Sequence, residues 1–342
     1  DYIYSDPYGS VLVIAPWNYP FQLALAPVIA AIAAGNTVVL KPSEHTAYTS
    51  KLLVSIITNV FKPEHIKVIE GGIPETTILL NERWDYIFFT GSVAVGKIVA
   101  KAAATYLTPI TLELGGKNPC IVLDDVERLG EVAEHVVNAV FWNMGENCSA
   151  ASRLIVHQDV KEVLMTRVLA RVRDWKTGDP LDPANHLGCL IDADHTAKVC
   201  GYLTGTALVG GTSEGNFVLP TIYEVGRKDA KAVDEIFGPI LSVITVASND
   251  EAVAVANDTH YGLAASVFTA NTRNALRAAR DIKAGTVTVN TYGEGSIATP
   301  FGGYKQSGFG GRDNGLQAHD QFTELKTIWI DLTDPSEGDN VG

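Results

Sequence analysis

The sequence predicts an α/β protein made of two parallel-sheet units and a terminal strand. Three observations carry that expectation. The chain has 342 residues, which suits about two domains rather than one. From Gly9 to about Leu123, short β-branched runs alternate with helical ones, the pattern of βαβ units on a parallel sheet. A second alternating series begins near Val126 and runs to Val289.

The first series opens with the strand Val11-Leu12-Val13-Ile14, followed by an apolar, Ala-rich helix over residues 21–34. That stretch contains Pro27 and falls short of the roughly 20 residues that span a bilayer, so it reads as a buried helix and no membrane is expected as a partner. A strand at 37–40, a helix at 47–60 and strands at 67–70 and 86–89 follow. The last of these leads through Thr90-Gly91-Ser92 into a helix over 93–105, completing a Rossmann-like nucleotide-binding wind. The second series gives helices at 126–142 and 160–175 and strands at 153–156, 243–246 and 286–289. Residues 322–332 read as a strand and 335–342 as a disordered polar tail. The expected division is a nucleotide-binding domain at 1–117, a second α/β domain at 118–320, and a terminal strand with its tail at 321–342.

A net charge of -13 without a Lys/Arg cluster argues against nucleic acid, because a phosphate polymer would be repelled. The four cysteines form no CxxC pair and the eight histidines are scattered. That argues against a disulfide framework and a metal site and makes a reducing, cytoplasmic compartment the default. The chain starts at Asp1, so a targeting segment could lie upstream.

Cys148 stands in the polar stretch Asn143-Met144-Gly145-Glu146-Asn147-Cys148, where a side chain can be presented rather than packed. Cys120, Cys189 and Cys200 read instead as small buried hydrophobes. A thiolate can add to a carbonyl, an amide such as Asn18 can donate to the oxyanion, and a carboxylate such as Glu113 can activate water. Only the thiolate attacks, so a thiol near pKa 8.5 must be lowered or given a base. For the cofactor, Gly91-Ser92-Val93-Ala94-Val95-Gly96 follows a strand and opens a helix, which suits close approach of an anion. Its spacing is not GxGxxG, and alone it is an ordinary strand-to-helix turn. Lys41 and Glu44 close a strand, where open α/β sheets place ligand contacts.

Six motifs occur in order: Pro16-Trp17-Asn18-Tyr19-Pro20, Lys41-Pro42-Ser43-Glu44, Phe89-Thr90-Gly91-Ser92, Glu113-Leu114-Gly115-Gly116-Lys117, Glu235-Ile236-Phe237-Gly238-Pro239 and Pro300-Phe301-Gly302-Gly303. Together they resemble the aldehyde dehydrogenase superfamily across nearly the whole chain. The resemblance implies NAD-dependent oxidation of an aldehyde to a carboxylic acid, with Cys148 as nucleophile, Asn18 and the Cys148 N–H as oxyanion donors, and Glu113 as the base that hydrolyses the thioester. It implies that Lys41 and Glu44 hold the adenosine ribose, Glu44 favouring NAD over NADP. Glu235 and Phe237 would clamp the nicotinamide ribose and ring, and Trp17, Ser43, Gly91, Ser92, Gly96 and Leu114 complete the cofactor set. Trp17, Tyr19, Phe141, Trp142, Tyr292 and Phe301 are candidates for an aldehyde channel. The terminal strand would pair with another subunit in a homodimer or homotetramer.

The chain departs from the family pattern in several ways. Family members carry a further N-terminal segment ahead of this start. The usual Gly-Gln before the cysteine is Gly145-Glu146, whose charge would raise the thiol pKa unless it points away. Residues to about Leu123 resemble the short class-3 branch and those from about Asn143 the longer tetrameric branch, so a recombined chain is an open reading. Two alternatives stand beside the leading one. A CoA-acylating enzyme would typically lack Glu113, and a catalytically silent homologue would bind without turnover.

Overall fold

The computed structural model describes residues 1–293 and 295–332. Its strands in chain order are β1 Tyr2–Pro7, β2 Ser10–Ile14, β3 Thr37–Lys41, β4 Ile66–Val68, β5 Tyr86–Thr90, β6 Ile110–Glu113, β7 Pro119–Val122, β8 Arg153–His157, β9 Ser213–Glu214, β10 Phe217–Val218, β11 Thr221–Glu224, β12 Ile240–Val246, β13 Ala264–Phe268, β14 Thr286–Val289, β15 Gly308–Phe309 and β16 Thr323–Ile328. The helices that matter for the site are α1 Gln22–Ala33, α2 Ala47–Val60, α3 Ile73–Asn81, α4 Val93–Ala104, α5 Leu129–Phe141, α6 Gln158–Asp174 and α7 Ala193–Cys200.

Two six-stranded sheets dominate, ordered β15-β6-β5-β2-β3-β4 and β11-β12-β8-β7-β13-β14. Every pairing within them is parallel except β15 against β6. In the first sheet the chain moves from β2 to β3 and β4, then crosses to β5 on the other side of β2. The switch point therefore lies at the carboxyl ends of β2 and β5, where such sheets bind ligands.

Alternation along each strand sends side chains to opposite faces. Val11, Val13, Val38, Leu40, Tyr86 and Phe88 pack against Ala24, Val28 and Ala31 of α1 and Leu53 and Ile57 of α2. Leu12, Ile14, Ile87 and Phe89 pack on the other face with Val99 and Ala103 of α4. The second sheet is covered in the same way, with α5 and α6 on one face.

The sequence reading does not anticipate β1, β7, β11, β13 or α3, and the elements differ from it in three further respects. The two-residue strands β9, β10 and β15 have no counterpart in it, because so short a segment carries no periodicity. The terminal strand stops at Ile328, and its partner is β1 of the same chain, in an antiparallel ribbon. Phe322 and β15 return to the first sheet, Phe322 entering its core while the Asn36 side chain donates to the Phe322 carbonyl over 3.0 Å. The expected polar tail at 335–342 lies outside the described residues. No helix among the described residues is long and apolar enough to cross a membrane.

Candidate active site

The carboxyl end of β6 runs through Gly115-Gly116-Lys117 directly into β7, so the carboxyl edge of the first sheet faces the amino edge of the second. A cleft of about 820 Å³ lies along that junction. Its walls bring together Trp17 and Asn18 from the β2 end, Gly91 and Ser92 from the β5 end, and Glu113 and Leu114 from the β6 end. The loop before β8 adds Cys148, and Glu235 and Phe237 come from the segment before β12. Lys41, Ser43, Glu44 and Gly96 do not line this cleft.

The loop carrying Cys148 is held from several sides. Asn143 and Met144 adopt left-handed backbone conformations, and at Gly145, with φ of 71°, an added Cβ would lie 2.3 Å from the Gly238 carbonyl oxygen. The Asn118 side chain donates to the carbonyls of Cys148 over 2.7 Å and Ala150 over 3.0 Å. Gly116 has to be glycine, since a Cβ there would meet the Cys148 carbonyl oxygen at 2.6 Å. Asn147 accepts from the Ser149 amide and hydroxyl and donates to the Tyr292 hydroxyl. The half-buried thiol of Cys148 is thus presented on a loop that cannot easily shift.

Asn18 follows β2 in a turn, and its Nδ2 donates to the Glu146 carbonyl over 3.1 Å. A primary amide has two N–H donors, so one anchors Asn18 and the second can serve an oxyanion. Glu113 is buried, and among the described residues its Oε2 has no hydrogen-bond partner. Burial pushes its carboxyl well above the ordinary carboxylate range, and the nearby Asp313 adds to the push. Such a group favours its protonated form and can serve as a base once the proton is lost.

On the cofactor side, Glu235 Oε1 accepts from the Gly116 amide over 2.9 Å, and a Cβ on Gly115 would collide with its carboxylate. Burial raises the Glu235 pKa. Phe237 sits at φ of 59°, edge-on to Trp17 with ring centres 5.4 Å apart. Ser92 caps α4, accepting from the Val95 amide, and the first turn of that helix carries no acidic side chain. Its amides therefore remain suited to an anion. Gly96 packs against Leu114, where a Cβ would approach to 2.7 Å, so it sets the closeness of helix and sheet. Buried Lys41 donates to the Pro42 carbonyl and pairs with Glu44 at 3.5 Å, leaving the Glu44 carboxylate 43% exposed beyond the end of β3.

Several contributors escaped the sequence reading. Arg153 is fully buried and donates to the carbonyls of Lys117, Val255 and Ala256, pinning the junction between the sheets. His195, Lys198 and Asp313 line the cleft, although nothing in their local sequence marks them. Phe141 fails as a channel residue because it packs wholly inside the second core, whereas Trp17, Tyr19, Trp142, Tyr292 and Phe301 do line the cleft. Cys120 is buried as expected, but Cys189 is exposed and Cys200 half-buried.

The model of the aldehyde dehydrogenase family matches residues 1–328. The chain belongs to the aldehyde dehydrogenase family. Among its relatives, aminoacetaldehyde dehydrogenase of Pseudomonas aeruginosa is 48% identical over 343 aligned positions, covering 97% of this chain and 69% of the relative. The structure of γ-glutamyl-γ-aminobutyraldehyde dehydrogenase from Burkholderia cenocepacia superposes with a TM-score of 0.92 at 42% identity, over 95% of this chain and 68% of that one. A Mycobacterium tuberculosis aldehyde dehydrogenase complexed with NAD+ gives 0.92 at 34% identity, over 96% and 71%. Both halves of this aldehyde dehydrogenase chain thus match single relatives, and the similarities lend no support to a silent homologue.

Proposed function

We propose that the chain oxidises an aldehyde to a carboxylic acid with NAD as cofactor, in the cleft between its two sheets. The observation that carries this reading is the convergence of Asn18, Glu113, Cys148, Glu235 and Phe237 on that cleft from separate elements. The Cys148 thiolate adds to the aldehyde carbonyl and forms a thiohemiacetal, whose oxyanion takes hydrogen bonds from Asn18 Nδ2 and the Cys148 amide. NAD, when bound, supplies the hydride acceptor. Collapse of the oxyanion leaves a thioester on Cys148, and Glu113 then takes a proton from the attacking water to release the acid.

The residues present fit the cofactor. The amino end of α4 offers amides to a pyrophosphate, the Lys41 and Glu44 pair stands at the β3 end where a ribose would be held, and Glu235 and Phe237 wall the nicotinamide end. Cys148→Ser tests the assignment with aminoacetaldehyde, the aldehyde in the name of the Pseudomonas relative, as the assay substrate. NADH formation should fall by at least about 10³ while NAD binding persists, because a hydroxyl without a dedicated base is a poor nucleophile. Turnover near wild type would remove Cys148 from the reaction.

A further inference from the structure

Glu146 is the departure from the family pattern that the sequence alone leaves open, and the structure places it at a crossing of three segments. Its backbone carbonyl accepts from Asn18 Nδ2 over 3.1 Å and from Asn143 Nδ2 over 3.3 Å. Its carboxyl turns away from that face. Oε1 accepts from the Ile191 amide over 3.0 Å, immediately before the Asp192 cap of α7, and lies 3.6 Å from His195 Nε2. The side chain is only 4% exposed. His195 in turn reaches the Phe237 carbonyl over 2.7 Å and lies edge-on to Trp17. One residue therefore links the oxyanion donor to the helix that braces Phe237.

We propose that Glu146 is a positioning residue that ties the catalytic loop to α7 and relays the protonation of a buried carboxyl–imidazole pair to Cys148 and Asn18. The proposal rests on the roles given above to those two residues. A carbonyl only accepts, so His195 Nε2 carries a hydrogen, and any further proton on the pair resides on the Glu146 carboxyl or on His195 Nδ1. The titratable and charged neighbours are Asp192, which caps α7, Lys198 on α7, His45 at 3.1 Å from Asp192, and Asp234 and Glu235 beside Lys198. Burial is the main influence on both members. It raises the Glu146 carboxyl to about 7 and lowers His195, so the Glu146 carboxyl is protonated on the acid side of neutrality. Above it, an anion forms two residues along the chain from Cys148, and although it faces Ile191 and His195 rather than the thiol, its field in a buried setting disfavours ionisation of the thiol.

Alkylation of Cys148 by iodoacetamide, followed at that residue by mass spectrometry across about pH 5–9, tests this with Glu146→Gln and Glu146→Ala beside the wild type. Wild type should show a two-step profile with a break near 7. Glu146→Gln keeps an acceptor for the Ile191 amide but cannot ionise, so it should show a single step and react about 3–10-fold faster at pH 8. Glu146→Ala loses the tie as well, and its kcat should fall further than its KM for NAD rises, with Glu146→Gln restoring most of the loss. A residue that merely filled space would leave the alkylation profile untouched. Superimposable wild-type and Glu146→Gln profiles would overturn the proposal, whatever becomes of the alanine variant. Absence of NADH from the wild type would instead overturn the reaction reading, and the two failures are distinct.

Discussion

Asp313 and Glu113 share the wall of the cleft, and burial raises both carboxyls, Asp313 to about 6. A group whose folded pKa lies above its unfolded value binds extra protons when folded, so stability falls as pH rises between the two values. For Asp313 that window runs from 3.8 to about 6. Asp313→Asn should therefore gain stability relative to wild type as pH is raised from about 4 to 7. The gain should be about 3 kcal/mol at most, since a tenfold change in a protonation equilibrium is worth about 1.4 kcal/mol. Urea midpoints of the two proteins at either end of that range measure it, and a constant difference would contradict the assignment. The same substitution removes one cause of the raised Glu113 pKa, so it should move the basic rise of the hydrolytic rate to lower pH.

At the scale of elements, the strand ends are the part of the site legible in the sequence. Short apolar and β-branched runs mark β2, β3 and β5, and the polar or glycine residues at or just beyond their ends, Asn18, Lys41 and Gly91, stand where a doubly wound sheet places its ligands. Asn118, Arg153 and His195 are not legible, because each acts on a partner far away in sequence. Arg153 reaches the Val255 and Ala256 carbonyls and His195 the Phe237 carbonyl, contacts that exist only once the sheets are assembled. The β3–α2 junction yields a prediction of its own. The part-exposed Glu44 carboxylate would face a 2′-phosphate, and at that exposure like charges cost about 1 kcal/mol rather than several. Glu44→Ser should accordingly narrow the preference for NAD over NADP by about fivefold in kcat/KM. An unchanged ratio would separate Glu44 from the adenosine ribose.

At the scale of the molecule, β1 and β16 form a two-stranded ribbon apart from both sheets, and such a ribbon is marginal in water by itself. It exposes Ile3 at 73% and Leu325 at 75%, with Trp329 at 84% just beyond. A ribbon with open edges and exposed apolar side chains among its polar ones suits pairing with a second copy, so light scattering should give a mass of at least twice 36.6 kDa. Leu325→Asp combined with Trp329→Asp should return it to the monomer. A monodisperse wild-type monomer would contradict this. In the proposed reaction the nucleophile, Cys148, would hang from the loop before β8 of one sheet and the base, Glu113, from β6 of the other, each with its own half of the cycle. Glu113→Gln should leave hydride transfer intact and cripple thioester hydrolysis. Rapid mixing of that variant with aldehyde and excess NAD should give a burst of NADH approaching one equivalent per Cys148, then a steady rate lower than wild type by about 10²–10⁴. A wild-type steady rate, or no burst at all, would contradict the division of labour between Cys148 and Glu113.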